Sequence, residues 1–175
     1  NWFIYASDLP TFLTDPVGAE AWKHKQYPPP QKWTQEEASK YRQFISQEMA
    51  GYKGLTGYDC ADFALLLLVE FARGHGLRMI VTGGEDIKYD SCSDTPSKSP
   101  GGKRYNWRNN WRVYRQAVVD FTGAIHLAQS NTRAVGGFAG AQPGDYLFYI
   151  LYDDEHSHSR IIRKKYQRRT PEGKT

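Results

Sequence analysis

The chain has 175 residues, of which 39% are hydrophobic and 14% aromatic, and it carries a formal net charge of +4. This length suffices for one domain with a packed core, and the aromatic content argues against disorder. The longest apolar run, Phe63–Val69, is far shorter than the ~20 residues of a membrane-spanning helix. Residues 1–10 lack the basic start and apolar stretch of a secretory signal. Neither a membrane partner nor a signal peptide is therefore expected.

The positive charge is concentrated towards the end of the chain. Seven of the 23 Lys and Arg residues, but only one of the 19 acidic residues, follow His158, which leaves residues 1–158 with a net charge of −2. A basic tail, here residues 163–175, can bind nucleic acid, an anionic glycan or acidic lipid. A solvated terminus has the same composition, and this second interpretation is favoured.

Residues 1–33 are predicted to form short helical or irregular pieces, an N-terminal extension ending in the stiff triplet Pro28-Pro29-Pro30. The next segment is predicted to be a helix that Thr34 caps, with Glu37 completing a capping box and Gly51 ending it. One face of this helix is apolar, formed by Ala38, Tyr41, Phe44, Ile45 and Met49.

A second helix is predicted to begin at Asp59, after the glycine-bearing loop 51–58, and to end at Gly74–Gly76. It is apolar nearly all round, which is typical of a helix buried in the core. Met79–Val81 is predicted to start a strand.

The middle of the chain alternates polar and apolar stretches. Gly83–Gly102 is polar and is predicted to be a long surface loop that carries Cys92. Aromatic and aliphatic residues then recur at helical spacing over 107–121, which predicts a helix. Ile125–Ala128 is predicted to be another strand.

The last third of the chain predicts a hairpin. A turn signal at 142–145 precedes the apolar strand Tyr146–Tyr152, a hairpin tip at Asp153–Glu155 and a returning strand over His158–Lys165. With helices first and strands later, the order predicts an α+β fold with an antiparallel sheet.

Cys60 lies at the start of the predicted buried helix, directly after the candidate N-cap Asp59. The unpaired N–H groups and the dipole at this helix end favour an anion, so they would stabilise a thiolate. The same N–H groups could hold the oxyanion of a tetrahedral intermediate. A small buried hydrophobe would also explain a cysteine here, so the catalytic interpretation needs a base nearby.

Two histidines, His156 and His158, open the last predicted strand. A histidine held on a strand beside a helix terminus could accept the thiol proton and later protonate a leaving amine. An exposed hairpin tip is the alternative interpretation. The pair could also chelate a metal ion, but no further ligand is indicated, so no metal site is predicted.

These fragments together resemble the NlpC-type papain-like cysteine hydrolases, which include peptidoglycan endopeptidases, related amidase domains and bacterial effector toxins. The matching segments are Tyr58–Phe63, Pro143–Phe148 and His158–Ile162, within roughly residues 50–165. The resemblance implies a single papain-like α+β domain over residues 1–175, with N-terminal helices packed on a curved antiparallel sheet.

The resemblance also implies the roles of the site residues. Cys60 would be the nucleophile and His158 the base, because Ile161 and Ile162 follow His158 as strand residues follow the family's histidine, and His156 is the fallback. Side chains and amides near the cysteine would line the site or the oxyanion hole, namely Asp59, Ala61, Asp62, Tyr52 and Tyr58.

The chain departs from the family pattern at two points. Arg160 stands where the family usually has glycine, and the polar residue that orients the imidazole is missing downstream. Gln167, Glu172 or a backbone carbonyl are the candidates left for this orienting role.

The expected reaction is acyl transfer from an amide to Cys60, with no cofactor. The resemblance implies an antibacterial effector toxin acting on peptidoglycan peptides, secreted or injected by a bacterium into the periplasm or cytoplasm of a target cell, with an immunity protein as partner. One alternative keeps the chemistry and places a specific cytosolic protein as substrate. Another is a catalytically inactive papain-like binding domain.

A non-catalytic module that binds nucleic acid through Lys103–Arg115 and the basic tail is an alternative from a different class. It is disfavoured because Trp107, Trp111 and Tyr114 share one helical face, which predicts packing. Nucleic acid is therefore not the expected partner.

Overall fold

The computed structural model describes residues 2–6, 31–49, 59–102, 105–107, 110–134, 137, 139–150 and 157–165. The strands and α-helices in these residues are, in chain order, β1 (Trp2–Ala6), α1 (Gln35–Glu48), α2 (Cys60–Gly74), β2 (Ile80–Thr82), β3 (Lys88–Asp90), α3 (Trp111–Phe121), α4 (Ala124–Ser130), β4 (Arg133–Ala134), β5 (Tyr146–Ile150) and β6 (Ser157–Ile161). Helices and small antiparallel sheets make the fold class α+β, as the sequence predicted.

The larger sheet has the strand order β4-β1-β5-β6, and every pairing in it is antiparallel. Its register places Phe148 opposite Ser159 and Tyr149 opposite His158. The second sheet is the β2–β3 pair, in which Val81 opposes Tyr89. Within the described strands β6 is therefore an edge strand, and its outer side is open to contacts from elsewhere in the fold.

Helix α2 is the centre of the hydrophobic core and packs against α1, α3, α4 and β6. Nine of its 15 residues are buried, including Leu65, Leu67 and Val69 at 1% exposure or less, as its all-round apolar sequence predicted. Each fully buried leucine contributes roughly 2 kcal/mol to stability. At 15 residues α2 is too short to cross a membrane, and no other helix in the described part of the chain could do so.

The predicted cap of α1 is confirmed in part. The Thr34 hydroxyl accepts a hydrogen bond from the Glu37 amide at 3.2 Å. The Glu37 carboxylate accepts from the Lys40 ammonium at 2.7 Å and lies 2.9 Å from Nδ1 of His75 instead of reaching back to the cap. It therefore ties α1 to the C-terminal end of α2.

The prediction of short helical or irregular pieces for the start of the chain was wrong for residues 2–6. They form β1, which lies inside the larger sheet between β4 and β5. These residues are therefore part of the sheet that carries β6 and not an extension beside it.

Three further segments differ from the sequence-based prediction. The polar stretch Gly83–Gly102 contains β3, whose Tyr89 is fully buried, so this stretch is not simply a surface loop. Ile125–Ala128 lies in α4 and is helical, not extended. The predicted helix over 107–121 begins at Trp111, and Trp107 before it is buried, with its indole N–H donating to the Asp90 carbonyl at 3.2 Å.

Candidate active site

Cys60 occupies the first position of α2, and Asp59 caps this helix as predicted. One carboxylate oxygen of Asp59 accepts from the amides of Ala61 and Asp62, both at 2.8 Å, and the Asp62 carboxylate accepts from the Asp59 amide at 2.9 Å. The amides of Ala61 and Asp62 are thus occupied by the cap and are not available to an oxyanion. The cap does not use the amide of Cys60 itself.

The sulfur of Cys60 contacts the open edge of β6. The Ser159 amide donates a hydrogen bond to Sγ of Cys60 at 3.2 Å, across 99 residues of sequence. In an antiparallel ladder alternate residues point their N–H groups away from the partner strand. Ser159 points this group towards α2, so the strand edge supplies a donor for a negative charge on the sulfur.

This contact also brings His158 close to Cys60. The peptide bond between His158 and Ser159 limits the distance from the His158 Cα to Sγ of Cys60 to about 6 Å. The His158 ring packs edge-on against Tyr149, with ring centroids 5.4 Å apart at 81°. Side chains alternate along a strand, so those of His158 and Ser159 leave the backbone on opposite faces of β6. To reach the sulfur, the imidazole has to rotate across the unpaired edge of β6.

Two residues at this site, Ser159 and Tyr149, were not identified from the sequence. Ser159 is 4% exposed, and its Oγ has no hydrogen-bond partner among the described residues. Tyr149 contacts the His158 ring edge-on and so limits its orientation by packing. The β5–β6 register would have paired Tyr149 with His158, but nothing in the sequence separates Ser159 from Ser157.

Asp62 introduces an unfavourable charge beside the cap. Burial, followed by repulsion from Asp59 and Asp120, raises the pKa of Asp62, although the hydrogen bond from the Asp59 amide acts in the opposite direction. Glu36 on α1 shows the reverse, because its hydrogen bond and ion pair with Lys40 lower the pKa of that carboxyl.

The Asp62→Asn variant should gain stability relative to the wild type as pH rises. A raised pKa in the folded state means that the stabilising contribution of Asp62 is present below its unfolded value of 3.8 and is lost as pH rises through the folded value. The free energy of unfolding is measured by urea titration at pH 3.5 and at pH 6.5. Between these two pH values the variant should gain about 0.5 kcal/mol relative to the wild type, after discounting for solvent screening.

The matched control for this measurement is Glu36→Gln, which removes an acidic charge from a fully exposed position. Here the sign reverses, because a lowered pKa stabilises the ionised form, and the wild type should gain on the variant as pH rises. The same sign for both variants would contradict the role given to Asp62.

Several predicted site residues, Tyr52, Tyr58, His156, Gln167 and Glu172, lie outside the described residues, as does the hairpin tip Asp153–Glu155. Of the basic tail, residues 163–165 are described, where Arg163 donates to the Ser46 carbonyl at 3.3 Å and Lys165 to the Ala139 carbonyl at 2.7 Å. Cys60 and Cys92 are both partly buried and neither forms a disulfide. Among the described residues no group of His, Cys, Asp or Glu side chains could hold a metal ion.

The described part of Lys103–Arg115 is packed as predicted, although Trp107 lies before the helix and only Trp111 and Tyr114 are on it. Trp107 and Tyr114 are 1% exposed. Trp111 is half-buried, with the Arg73 guanidinium 4.1 Å and that of Arg115 5.5 Å from the centroid of its ring. Nδ1 of His126 is buried without a hydrogen-bond partner among the described residues.

No protein-family model matches the chain, and no solved structure matches it. The resemblance to NlpC-type hydrolases therefore stays a prediction from the sequence. The structural support for a function is local, and it consists of the meeting of Cys60, the start of α2 and the edge of β6.

Proposed function

We propose that this protein is a papain-like cysteine hydrolase that cleaves an amide bond in peptidoglycan peptides, as an antibacterial effector of the NlpC type. The observation that carries the proposal is the hydrogen bond from the Ser159 amide to Sγ of Cys60. It joins the residue beside His158 to a cysteine on the first turn of a buried helix, where general base and nucleophile would have to meet.

In the proposed mechanism the Cys60 thiol transfers its proton to the imidazole of His158, and the thiolate attacks the amide carbonyl. The Ser159 amide and the N-terminus of α2 stabilise negative charge on the sulfur. His158 then protonates the leaving amine, which leaves the acyl group on Cys60 as a thioester. Water, deprotonated by His158, hydrolyses this thioester and regenerates the thiol.

Thiol alkylation tests the nucleophile directly, with Cys92 as an internal control because both cysteines are outside any disulfide and partly buried. Iodoacetamide at near-neutral pH, with labelling of each site followed by mass spectrometry, should modify Cys60 at least ~10 times faster than Cys92. Equal rates, or slower labelling of Cys60, would contradict the proposal.

The substrate is tested with purified sacculi and, separately, with a soluble cell lysate. We expect the wild type to release peptide fragments from sacculi and the Cys60→Ala variant to release none. Cleavage of a lysate protein without any action on sacculi would retain the chemistry and replace the wall substrate with a cytosolic protein.

The Ser159→Ala variant should be at least as stable as the wild type and yet slower to react. A buried hydroxyl without a partner costs roughly 1 kcal/mol or more, so its removal should raise or preserve the midpoint of urea unfolding. We expect a change of χ1 rotamer to bring this hydroxyl towards the thiolate as a second donor. Its loss should therefore slow Cys60 alkylation about five- to tenfold, a loss of about 1 kcal/mol.

A purely structural serine would behave differently. Its removal would lower the unfolding midpoint and leave the rate of Cys60 alkylation unchanged. The two measurements on one variant therefore separate a positioning role from a packing role.

A further inference from the structure

The larger sheet carries an arginine beside the candidate site, at the position where the NlpC-type pattern has glycine. Arg160 lies two residues after His158 on β6, so both side chains leave the backbone on one face, opposite to that of the buried Ser159. The cross-strand partner of His158 is Tyr149 on β5, and that of Arg160 is Leu147. Arg160 and His158 are therefore neighbours on the same surface of the sheet.

The ring of Tyr149 contacts both of these side chains. The His158 ring lies edge-on to it, with centroids 5.4 Å apart, and Cζ of Arg160 lies 5.9 Å from its centroid. At such a distance a guanidinium is attracted by the π electrons of an aromatic ring. The contact restricts the directions that the long Arg160 side chain takes, and it keeps the positive charge beside the proposed base.

The charge of Arg160 is uncompensated in the part of the chain that the structure describes. Its exposed side chain makes no hydrogen bond or ion pair with another described residue. Other guanidinium groups of the fold are paired, that of Arg78 with the Asp90 carboxylate at 2.6 Å and that of Arg115 with the Glu70 carboxylate at 3.3 Å. Arg160 thus presents its N–H donors to solvent next to the candidate site.

We propose that Arg160 is a specificity residue that binds a carboxylate of the peptide substrate, and this step rests on the proposed function. A guanidinium donates two parallel hydrogen bonds to one carboxylate, which fixes the orientation of the bound group as well as its position. Carboxylates are the anionic groups of an unmodified peptide, and an ammonium group would be repelled at the same place. The preferred substrate is therefore an acidic peptide.

The recognised carboxylate belongs to a residue close to the cleaved amide. The Ser159 amide is 3.2 Å from Sγ of Cys60, and Arg160 is the next residue, so its Cα is within about 8 Å of the sulfur. An extended arginine side chain adds roughly 7 Å to this reach, and an extended peptide advances about 3.3–3.6 Å per residue. A carboxylate within roughly four residues of the scissile bond can therefore reach the guanidinium.

Two reactive probes test the proposal without knowledge of the natural substrate. They are the N-bromoacetyl derivatives of glutamic acid α-methylamide and of glutamine α-methylamide, which differ only in the charge of one side chain. In both, the thiolate sulfur displaces bromide and forms a bond to the acetyl carbon. With labelling of each site followed by mass spectrometry, we expect the glutamate probe to label Cys60 about five times faster than the glutamine probe, the upper range for an exposed charge pair. Cys92 should show no preference for the charged probe.

Two variants with the same chemical change locate the effect. Arg160→Gln should abolish the preference of Cys60 for the glutamate probe and leave labelling by the glutamine probe nearly unchanged. The matched control is Arg112→Gln, because Arg112 is also exposed and its Cζ lies 6.0 Å from the ring centroid of Trp111. This control should keep the preference. Equal labelling of wild-type Cys60 by both probes, or an unchanged preference in Arg160→Gln, would overturn the proposal and leave Arg160 as a cover for the Tyr149 ring.

Failure of this inference can be told apart from failure of the hydrolase. If both probes label Cys60 at equal rates and much faster than Cys92, the nucleophile stands and the carboxylate site is contradicted. If the preference for the glutamate probe depends on Arg160 but sacculi and lysate proteins are left intact, the carboxylate site stands and the enzyme is contradicted.

Discussion

The His158→Gln variant should keep its fold and lose at least ~10³-fold in the rate of amide hydrolysis, within the range that a general acid–base group supplies. The reason is that the Ser159 amide lies 3.2 Å from Sγ of Cys60, which keeps the His158 backbone within about 6 Å of the sulfur and lets the imidazole reach it by turning over the strand edge. Glutamine keeps a polar side chain of similar reach beside Tyr149 but cannot exchange a proton at neutral pH.

The matched control is His156→Gln, which makes the same chemical change two residues earlier, outside the described residues. We expect this variant to keep at least half of the wild-type rate if His158 is the base. Urea unfolding of both variants should remain close to that of the wild type. A large loss in His156→Gln together with full activity in His158→Gln would transfer the role of base to His156.

Alkylation adds a readout that does not depend on knowing the substrate. An imidazole that accepts the thiol proton increases the thiolate fraction at neutral pH, so His158→Gln should slow alkylation of Cys60 but not of Cys92. Equal alkylation rates in the wild type and His158→Gln would support the inactive binding domain instead.

The elements that were predicted correctly are those whose sequence signals lie within the element itself or directly beside it. Asp59 and Asp62 form a capping box within four residues, and the following residues of α2 are almost all apolar. Both features place Cys60 at the start of a buried helix without any knowledge of the rest of the chain. Strand β5 follows a turn signal directly, and β6, the next strand in the chain, pairs with it in antiparallel orientation, which is again a local feature.

The parts that the sequence did not predict depend on distant partners or on very short segments. β1 pairs with β4 and β5, whose residues follow it by more than a hundred positions, so its five residues show no sign of their partners. β3 is three residues long, too short for alternation to be recognised, although Tyr89 is buried between less buried neighbours. α4 is a seven-residue apolar segment of the kind that periodicity cannot assign to helix or strand.

The candidate site also contains residues that could be predicted from the sequence and contacts that could not. Cys60 and His158 were recognisable because their residue types carry chemistry. The donor to Cys60 is a backbone amide, which every residue except proline possesses, and only the tertiary placement of the β6 edge selects that of Ser159. The burial of the Ser159 and Tyr89 hydroxyls without a hydrogen-bond partner among the described residues likewise depends on tertiary packing.

The Gly144→Ala variant should lose about 2–4 kcal/mol of unfolding free energy, from backbone strain and from crowding in the core. Gly144 has φ of +94°, a conformation that side chains with a Cβ rarely adopt. A Cβ here would lie 3.0 Å from Cε1 of Tyr41, which is 1% exposed and whose hydroxyl is 3.4 Å from that of Tyr146. The ring therefore has little room to move away.

This turn also holds the end of the strand that contacts Cys60. The Gly144 amide donates to the Ile162 carbonyl at 2.9 Å, and the Ile162 amide donates to the Asp145 carbonyl at 2.8 Å. A strained turn should loosen β6 and slow Cys60 alkylation along with the loss of stability. The control is Gly74→Ala, at the end of α2, where a Cβ meets nothing within 4 Å and the change should be neutral or stabilising. If urea unfolding gave the same midpoint for both alanine variants, the turn Pro143-Gly144-Asp145 would not hold the end of β6. The contact between β6 and the start of α2 would then depend on the Ser159 hydrogen bond alone.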